Sequence, residues 1–347
     1  MQVMQTRRTF TKALVAFGLC GSMLGGLAAS VGRAQDQPAP KPEHLEKMQQ
    51  DLPADAPAKP KKERKVLVYG LANGFVHSSI PLGQATIAAL GEKVGAYKSV
   101  VSNDPSVFDE DKLKEFDAVI LVSTTSRFLL PRTPDTNGKS EEEKQAAKKA
   151  AEESLKPYKE AEARQLQNLV DFVKKQGKGL VGIHVATDAY YENREYGELI
   201  GGYFNAHPWN EKVGLKIEDP DSPLTAMFEK KGYDVADEIY QFTPKGKDKD
   251  GREKQTYTRD RSRVLTSLDM TPGRTAPKGN SPTNDYPVTW VHKAGGGRVF
   301  YCSLGHREEI FWNPTILKHY LAGIQWAMGD LEADATPSAV KTATSGK

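Results

Sequence analysis

Four histidines stand where an imidazole could meet a substrate. His77 lies in Asn73-Gly-Phe-Val-His77-Ser-Ser79, past an apolar run at 65–69, and His184 closes Val181-Gly-Ile-His184. His207 lies in Gly201-Gly-Tyr-Phe-Asn-Ala-His207-Pro-Trp209, and His306 follows Val299–Leu304 in Gly305-His306-Arg-Glu308. Neutral imidazole suits proton transfer and metal ligation equally. Four such residues at loop positions of one domain point to a common pocket. Two chemistries stay open there: a divalent cation, zinc by its taste for imidazole nitrogen, or a metal-free acid–base site. The metal-free version is favoured, because no two of the four share the i, i+4 spacing of a helical zinc motif. His44, His292 and His319 fall in a linker, a strand and a helix and are read as structural. Trp290 shares a strand face with Val288. It is either core or a platform on which a ligand ring stacks, with Glu238 and Tyr240 supplying polar contacts.

These residues need elements to position them. Lys65–Tyr69, Ala118–Val122 and Leu180–Ile183 are short apolar runs without polar alternation, and helical patterns at Ile80–Val94 and Leu166–Val173 alternate with them. Such strands form a parallel sheet covered on both faces, a doubly wound α/β domain whose ligands bind outside the carboxyl ends of the strands. The second half is β-rich, with strand-like Val213–Ile217, Asp237–Phe242, Val264–Leu268, Val288–His292 and Val299–Leu304. Gly295–Gly297 reads as a hairpin turn. The last helix has Asn313 at its N-cap and Pro314 at its first position. Ser140–Leu155 reads as a solvated helix with a Ser140/Glu143 capping box, and residues 244–263 as a charged surface loop near the site mouth.

The N-terminus carries Arg7-Arg8 before Phe10 and Lys12, then a Gly- and Ala-rich stretch with no charge from Ala13 to Gly32, then Arg33-Ala34. That is the layout of a twin-arginine export signal over residues 1–34, cleaved after Ala34, for a periplasmic or secreted bacterial protein with no stable membrane insertion after cleavage. Residues 35–64 read as a Pro-rich disordered linker, 65–330 as one domain and 331–347 as a disordered tail. The chain has 347 residues and a formal charge of +3, and is close to neutral once the cations of the signal are set aside. That argues against a nucleic-acid partner. Two cysteines, Cys20 and Cys302, exclude a Cys-rich metal cluster and a disulfide scaffold. Cys302, inside a strand, reads as an inert buried thiol. No G-x-G-x-x-G follows the first strand, and neither a P-loop nor a G-x-S-x-G is present.

With these motifs in view, the chain resembles the ThuA-like (trehalose utilisation) proteins of the class I glutamine amidotransferase-like, flavodoxin-type superfamily. The matching stretches are GFVHSS at 74–79, GLVGIHVATD at 179–188, YGELIGGYFNAHPW at 196–209, DEIYQF at 237–242, DYPVTW at 285–290, GGGRVFYCSLGH at 295–306 and LKHYLAGIQWAMGD at 317–330. A charged insert at 131–160 and the long loop at 244–263 depart from the pattern. The resemblance implies that His184 stands where amidotransferases carry their cysteine nucleophile, which removes glutaminase chemistry. It places His306 and Glu308 as base and orienting acid, and brings His207 into the site. It further implies sugar metabolism, in pathways that form 3-keto derivatives of disaccharides. Two classes follow. The first is an enzyme acting on a glycoside or keto-sugar as hydrolase, lyase or isomerase. The second is a non-catalytic carbohydrate-binding domain on an inherited enzyme fold.

Overall fold

The computed structural model describes residues 38–132, 140–242, 257–281 and 283–339. The expected export signal, most of the loop at 244–263 and the end of the tail lie outside them. In chain order the elements are α1 (Pro42–Asp51), β1 (Lys65–Tyr69), α2 (Ile80–Val94), β2 (Lys98–Ser102), α3 (Glu110–Leu113), β3 (Ala118–Val122), α4 (Glu141–Leu155), α5 (Lys159–Lys174) and β4 (Gly179–Ile183). There follow α6 (Arg194–Ile200), β5 (Ala206–Ile217), β6 (Tyr233–Gln241), β7 (Arg263–Leu268), β8 (Pro287–Ala294), β9 (Gly297–Cys302) and α7 (Pro314–Ala327).

The strands form one mixed sheet in the order β2-β1-β3-β4-β9-β8-β7-β5-β6. The first five run parallel, and from β9 onward neighbours are antiparallel. Alternate residues of the parallel strands are apolar on both faces, which is why each face carries helices. Val66, Val68, Ile120, Val122, Val181 and Ile183 pack with Leu82, Ile87 and Leu90 of α2 and Leu317, Leu321 and Ile324 of α7. Leu67, Val119, Leu121 and Leu180 pack with Leu166, Leu169 and Val173 of α5 and Leu199 of α6. The edge strand β2 carries no buried residue, so it lacks the continuous apolar run that marks its neighbours. Helix α4 is the solvated helix expected at 140–155: both arms of the Ser140/Glu143 capping box are made and none of its residues is buried.

The linker reading of 35–64 needs correction. Residues 42–51 form α1, and Met48 and Leu52 are buried in the core. Farther along, the Ala58 N–H donates to Gln325 Oε1 at 3.0 Å, and the Arg64 guanidinium clasps Asp330. Two apolar anchors and a few side-chain hydrogen bonds to α7 and its end order this proline-rich strap without any repeating apolar pattern. The start of the tail is ordered too. Leu331 is buried, Glu332 pairs with Lys61 and Arg298, and Ser338 Oγ accepts from the Val264 N–H. His292 and His319 are structural, as expected. Each is fully enclosed and bound to a backbone carbonyl (Leu199 and Leu224), and burial lowers each to about 4.

Candidate active site

Register brings the site together. In the parallel β4–β9 pair Ile183 faces Cys302, so the residues that follow lie side by side. His184 Nδ1 sits 2.7 Å from the Ser303 carbonyl. A carbonyl only accepts, so Nδ1 carries the hydrogen and Nε2 keeps its lone pair. His184 holds φ +53°, the left-handed region that a branched or bulky residue rarely adopts. That turn throws its ring over the carboxyl end of the strand. Gly305 is required next to it: at φ +133°, a Cβ there would meet His184 Cβ and Ile183 Cγ2 at 3.1 Å.

Around His184 Nε2 the other groups close in. His77 Nε2, from the loop after β1, is 3.2 Å away, and the Tyr240 hydroxyl is 2.9 Å away. The ring centroids of His77 and His306 are 5.1 Å apart, and those of His184 and His306 5.5 Å. Glu238 and Tyr240 share one face of β6, two residues apart. Glu238 Oε2 lies 3.4 Å from His306 Nδ1 and 3.7 Å from His184 Nε2, while Oε1 lies 3.3 Å from His207 Nδ1. His184, His77 and Glu238 are buried, whereas the His207 side chain is 56% exposed at the mouth. A pocket of about 320 Å³, lined by Ser78, Asn210, His306, Arg307, Glu308 and Glu309, opens beside the cluster. A larger cavity on the antiparallel side, about 830 Å³, contains none of these histidines, and its Arg259 pairs with Asp285 and Glu218.

A family model described as ThuA, trehalose utilisation, matches residues 154–327. The chain belongs to the ThuA family. Its fold is shared with a ThuA-like protein of Parabacteroides merdae, 15% identical over 79% of this chain and 93% of that one, with a TM-score of 0.50. A ThuA-like protein of Bacteroides uniformis is 20% identical over 78% of this chain and 94% of that one, with a TM-score of 0.49. A cytoplasmic protein of Salmonella typhimurium is 13% identical over 76% and 98%, with a TM-score of 0.46. A comparison with curated proteins finds no match.

In this ThuA-family site the charges are set by burial and by one another. Burial, and then the charge of His306, lower His77 to about 4, and burial, then the charge of His77, holds His184 well below the usual imidazole range. His306 goes the other way, raised by the Glu238 carboxylate beside it. Burial alone would raise Glu238; the imidazoles of His306, His207 and His77 outweigh it and hold the carboxyl below the usual range.

Two expected site residues are not where the sequence put them. Glu308 does not orient His306: its Oε2 is 2.8 Å from His44 Nδ1 on α1, and His306 faces Glu238 instead. The strap thus takes up the acid that was expected to serve the base. Trp290 is fully buried between Phe242, Tyr257 and Tyr301, with Nε1–H donating to the Ile200 carbonyl. Both faces of β8 are covered, so the alternation that selected Trp290 points into core on either side. It offers no face to a sugar.

One residue was missed. Asp237 is fully buried, and its carboxylate accepts the N–H groups of Gly305 at 2.7 Å and Arg307 at 2.8 Å, with the His306 N–H at 3.4 Å. It clamps the loop that carries His306. Burial lifts it to about 6 against the pull of those donors. The signal in the sequence was an acid pair, Asp237-Glu238, inside a strand whose neighbours are apolar.

The donor set fits a metal ion. One atom from each of His77, His184, Glu238 and His306 lies within 4.8 Å of the others. Tetrahedral ligands at 2.0–2.1 Å stand roughly 3–3.5 Å apart, so small side-chain movements close the shell. His77 Nε2 and His184 Nε2, 3.2 Å apart, already stand at that spacing. The Nδ1–H to carbonyl bond of His184 is the outer-sphere contact that orients metal-binding imidazoles.

Proposed function

We propose that this ThuA-family protein is an exported, metal-dependent enzyme of carbohydrate utilisation, acting on a disaccharide or its 3-keto derivative with imidazole acid–base chemistry. The observation that carries the reading is the convergence of three imidazoles and a carboxylate, from four separate segments, at the carboxyl ends of parallel strands. A doubly wound, flavodoxin-like frame of the amidotransferase-like superfamily belongs to the same reading. The parallel order β2-β1-β3-β4-β9 supports it, as does the left-handed turn at His184, the position where the resemblance implies that superfamily's cysteine. The preference for a metal-free site rested on helical spacing, which is no guide when the donors come from different loops and strands.

His77, His184, His306 and Glu238 Oε2 would hold the cation, zinc by donor type. When bound, the ion polarises a substrate carbonyl or hydroxyl, or activates a water. The chain's own residues do the rest. The Tyr240 hydroxyl, beside His184 Nε2, donates a hydrogen bond to an oxygen placed there. His207 is exposed and within reach of Glu238 Oε1, and passes a proton between a substrate hydroxyl and solvent. The enclosed walls around His77 and His184 keep bulk water from the reacting centre.

The test is to incubate the zinc-loaded full chain with trehalose and its 3-keto derivative and follow both by NMR. Turnover that falls by about 10²–10⁴ in His207→Ala is expected from loss of a proton-transfer group. Binding without turnover would favour a carbohydrate-binding domain, and neither binding nor turnover would sink the reading. Export is a separate part of the proposal. Intact-mass spectrometry of the exported chain should place its first residue near Gln35, and retention of residues 1–34 there would contradict cleavage.

A further inference from the structure

Phe75 lies outside all of the chemistry above. It is 68% exposed, so most of an apolar ring stands in water. The other large exposed apolar residues among those described, Val100 and Val101, sit on the edge strand β2; Phe75 sits in the loop that delivers His77. Its ring touches the His77 imidazole edge-on, with centroids 4.8 Å apart.

That loop is not free to fold the ring away. The Asn73 N–H donates to the Thr125 carbonyl and the Gly74 N–H to Thr125 Oγ1, and the Thr125 hydroxyl donates to the Phe75 carbonyl. Asn73 Nδ2 donates to the carbonyls of Arg127 and Leu130 at 2.7 Å. Gly74 lies so close to Thr125 that a Cβ would come within 3.1 Å of its hydroxyl. An apolar ring is therefore held out in solvent by a fixed backbone, which is the preorganised state a binding contact needs.

From Phe75 the ring contacts continue through His77, His184, Tyr240 and Phe204 to His207, with successive centroids between 4.6 and 5.9 Å apart. The site thus sets an exposed aromatic ring beside polar groups: Glu238, which has an oxygen within 4.8 Å of a ring nitrogen of His77, and the exposed His207. A pyranose ring has the same division, with a face of C–H groups and a rim of hydroxyls. We propose that Phe75 is the stacking platform of a sugar subsite, packing on the C–H face of a pyranose whose hydroxyls reach Glu238 and His207. It takes the place that the sequence suggested for Trp290. This inference rests on the carbohydrate reading of the site and names how the sugar is held.

The experiment uses the full-length chain, with trehalose and its 3-keto derivative as probes, titrated calorimetrically against wild type, Phe75→Ala and Phe75→Trp. Loss of one stacking contact should weaken binding in Phe75→Ala by up to about tenfold, and Phe75→Trp should retain it. Melting temperature and zinc content should be those of the wild type in both variants, since Phe75 is neither core nor ligand. Wild-type affinity in Phe75→Ala would overturn the subsite while leaving the carbohydrate reading intact. A changed oligomeric state with unchanged sugar affinity would overturn it in favour of self-association. Failure of the wild type itself to bind either sugar would overturn the carbohydrate reading and the subsite together.

Discussion

His184→Asn is expected to fold and to lose zinc and turnover together. The fold should survive for two reasons. Asparagine tolerates the left-handed region better than most residues, and its amide can still donate to the Ser303 carbonyl that His184 Nδ1 now reaches at 2.7 Å. What it lacks is the Nε2 lone pair, on which His77 at 3.2 Å and the Tyr240 hydroxyl at 2.9 Å converge. Disturbing an outer-sphere partner of a metal ligand costs about 10- to 100-fold in affinity. Removing the ligand should cost at least about 100-fold, and catalysis should fall with it. The measurement is zinc affinity by competition with a chelating dye, beside a urea unfolding curve. Unchanged zinc affinity in a folded variant would remove His184 from the metal centre.

Asp237→Leu should damage the same centre from a distance. Leucine leaves the N–H groups of Gly305 and Arg307 in a buried setting without their acceptor. An orphaned buried donor costs about 1–3 kcal/mol, so for the two of them a loss of roughly 2–6 kcal/mol in unfolding free energy is expected. The loop that carries His306 then loses its anchor, and zinc affinity should fall by about 10- to 100-fold. Asp237→Asn separates the two effects. Its amide oxygen can still accept from one or two of these donors, so it should recover most of the stability and part of the affinity. A variant that is destabilised yet binds zinc as tightly as the wild type would reduce Asp237 to a purely structural role.

Much of this was visible in the residues. β1, β3 and β4 are continuous apolar runs because both faces of the parallel sheet are covered, and His77 and His184 stand just past the ends of two of them. The sequence put Glu238 and Tyr240 at the site as polar contacts beside Trp290; that Glu238 pairs directly with these histidines could not be seen. β6 lies at the far end of the strand order, and only the closing of the antiparallel strands onto the rim brings its acids to His306. Glu308 misled for the opposite reason. Close in sequence to His306, it is drawn away by His44 on a strap whose order depends on Met48 and Leu52 finding a receiving surface. Trp290 misled because alternation says which residues share a face and not whether that face is wet.

The most direct measurement is zinc K-edge X-ray absorption on the purified full-length chain, with elemental analysis of the same sample. One zinc per chain is expected, with about three imidazole nitrogens and a carboxylate oxygen at about 2.0–2.1 Å, and that signature should be lost in His184→Asn. A folded protein that takes up no zinc at equimolar concentration, or one whose zinc signature is unchanged in that variant, would contradict it.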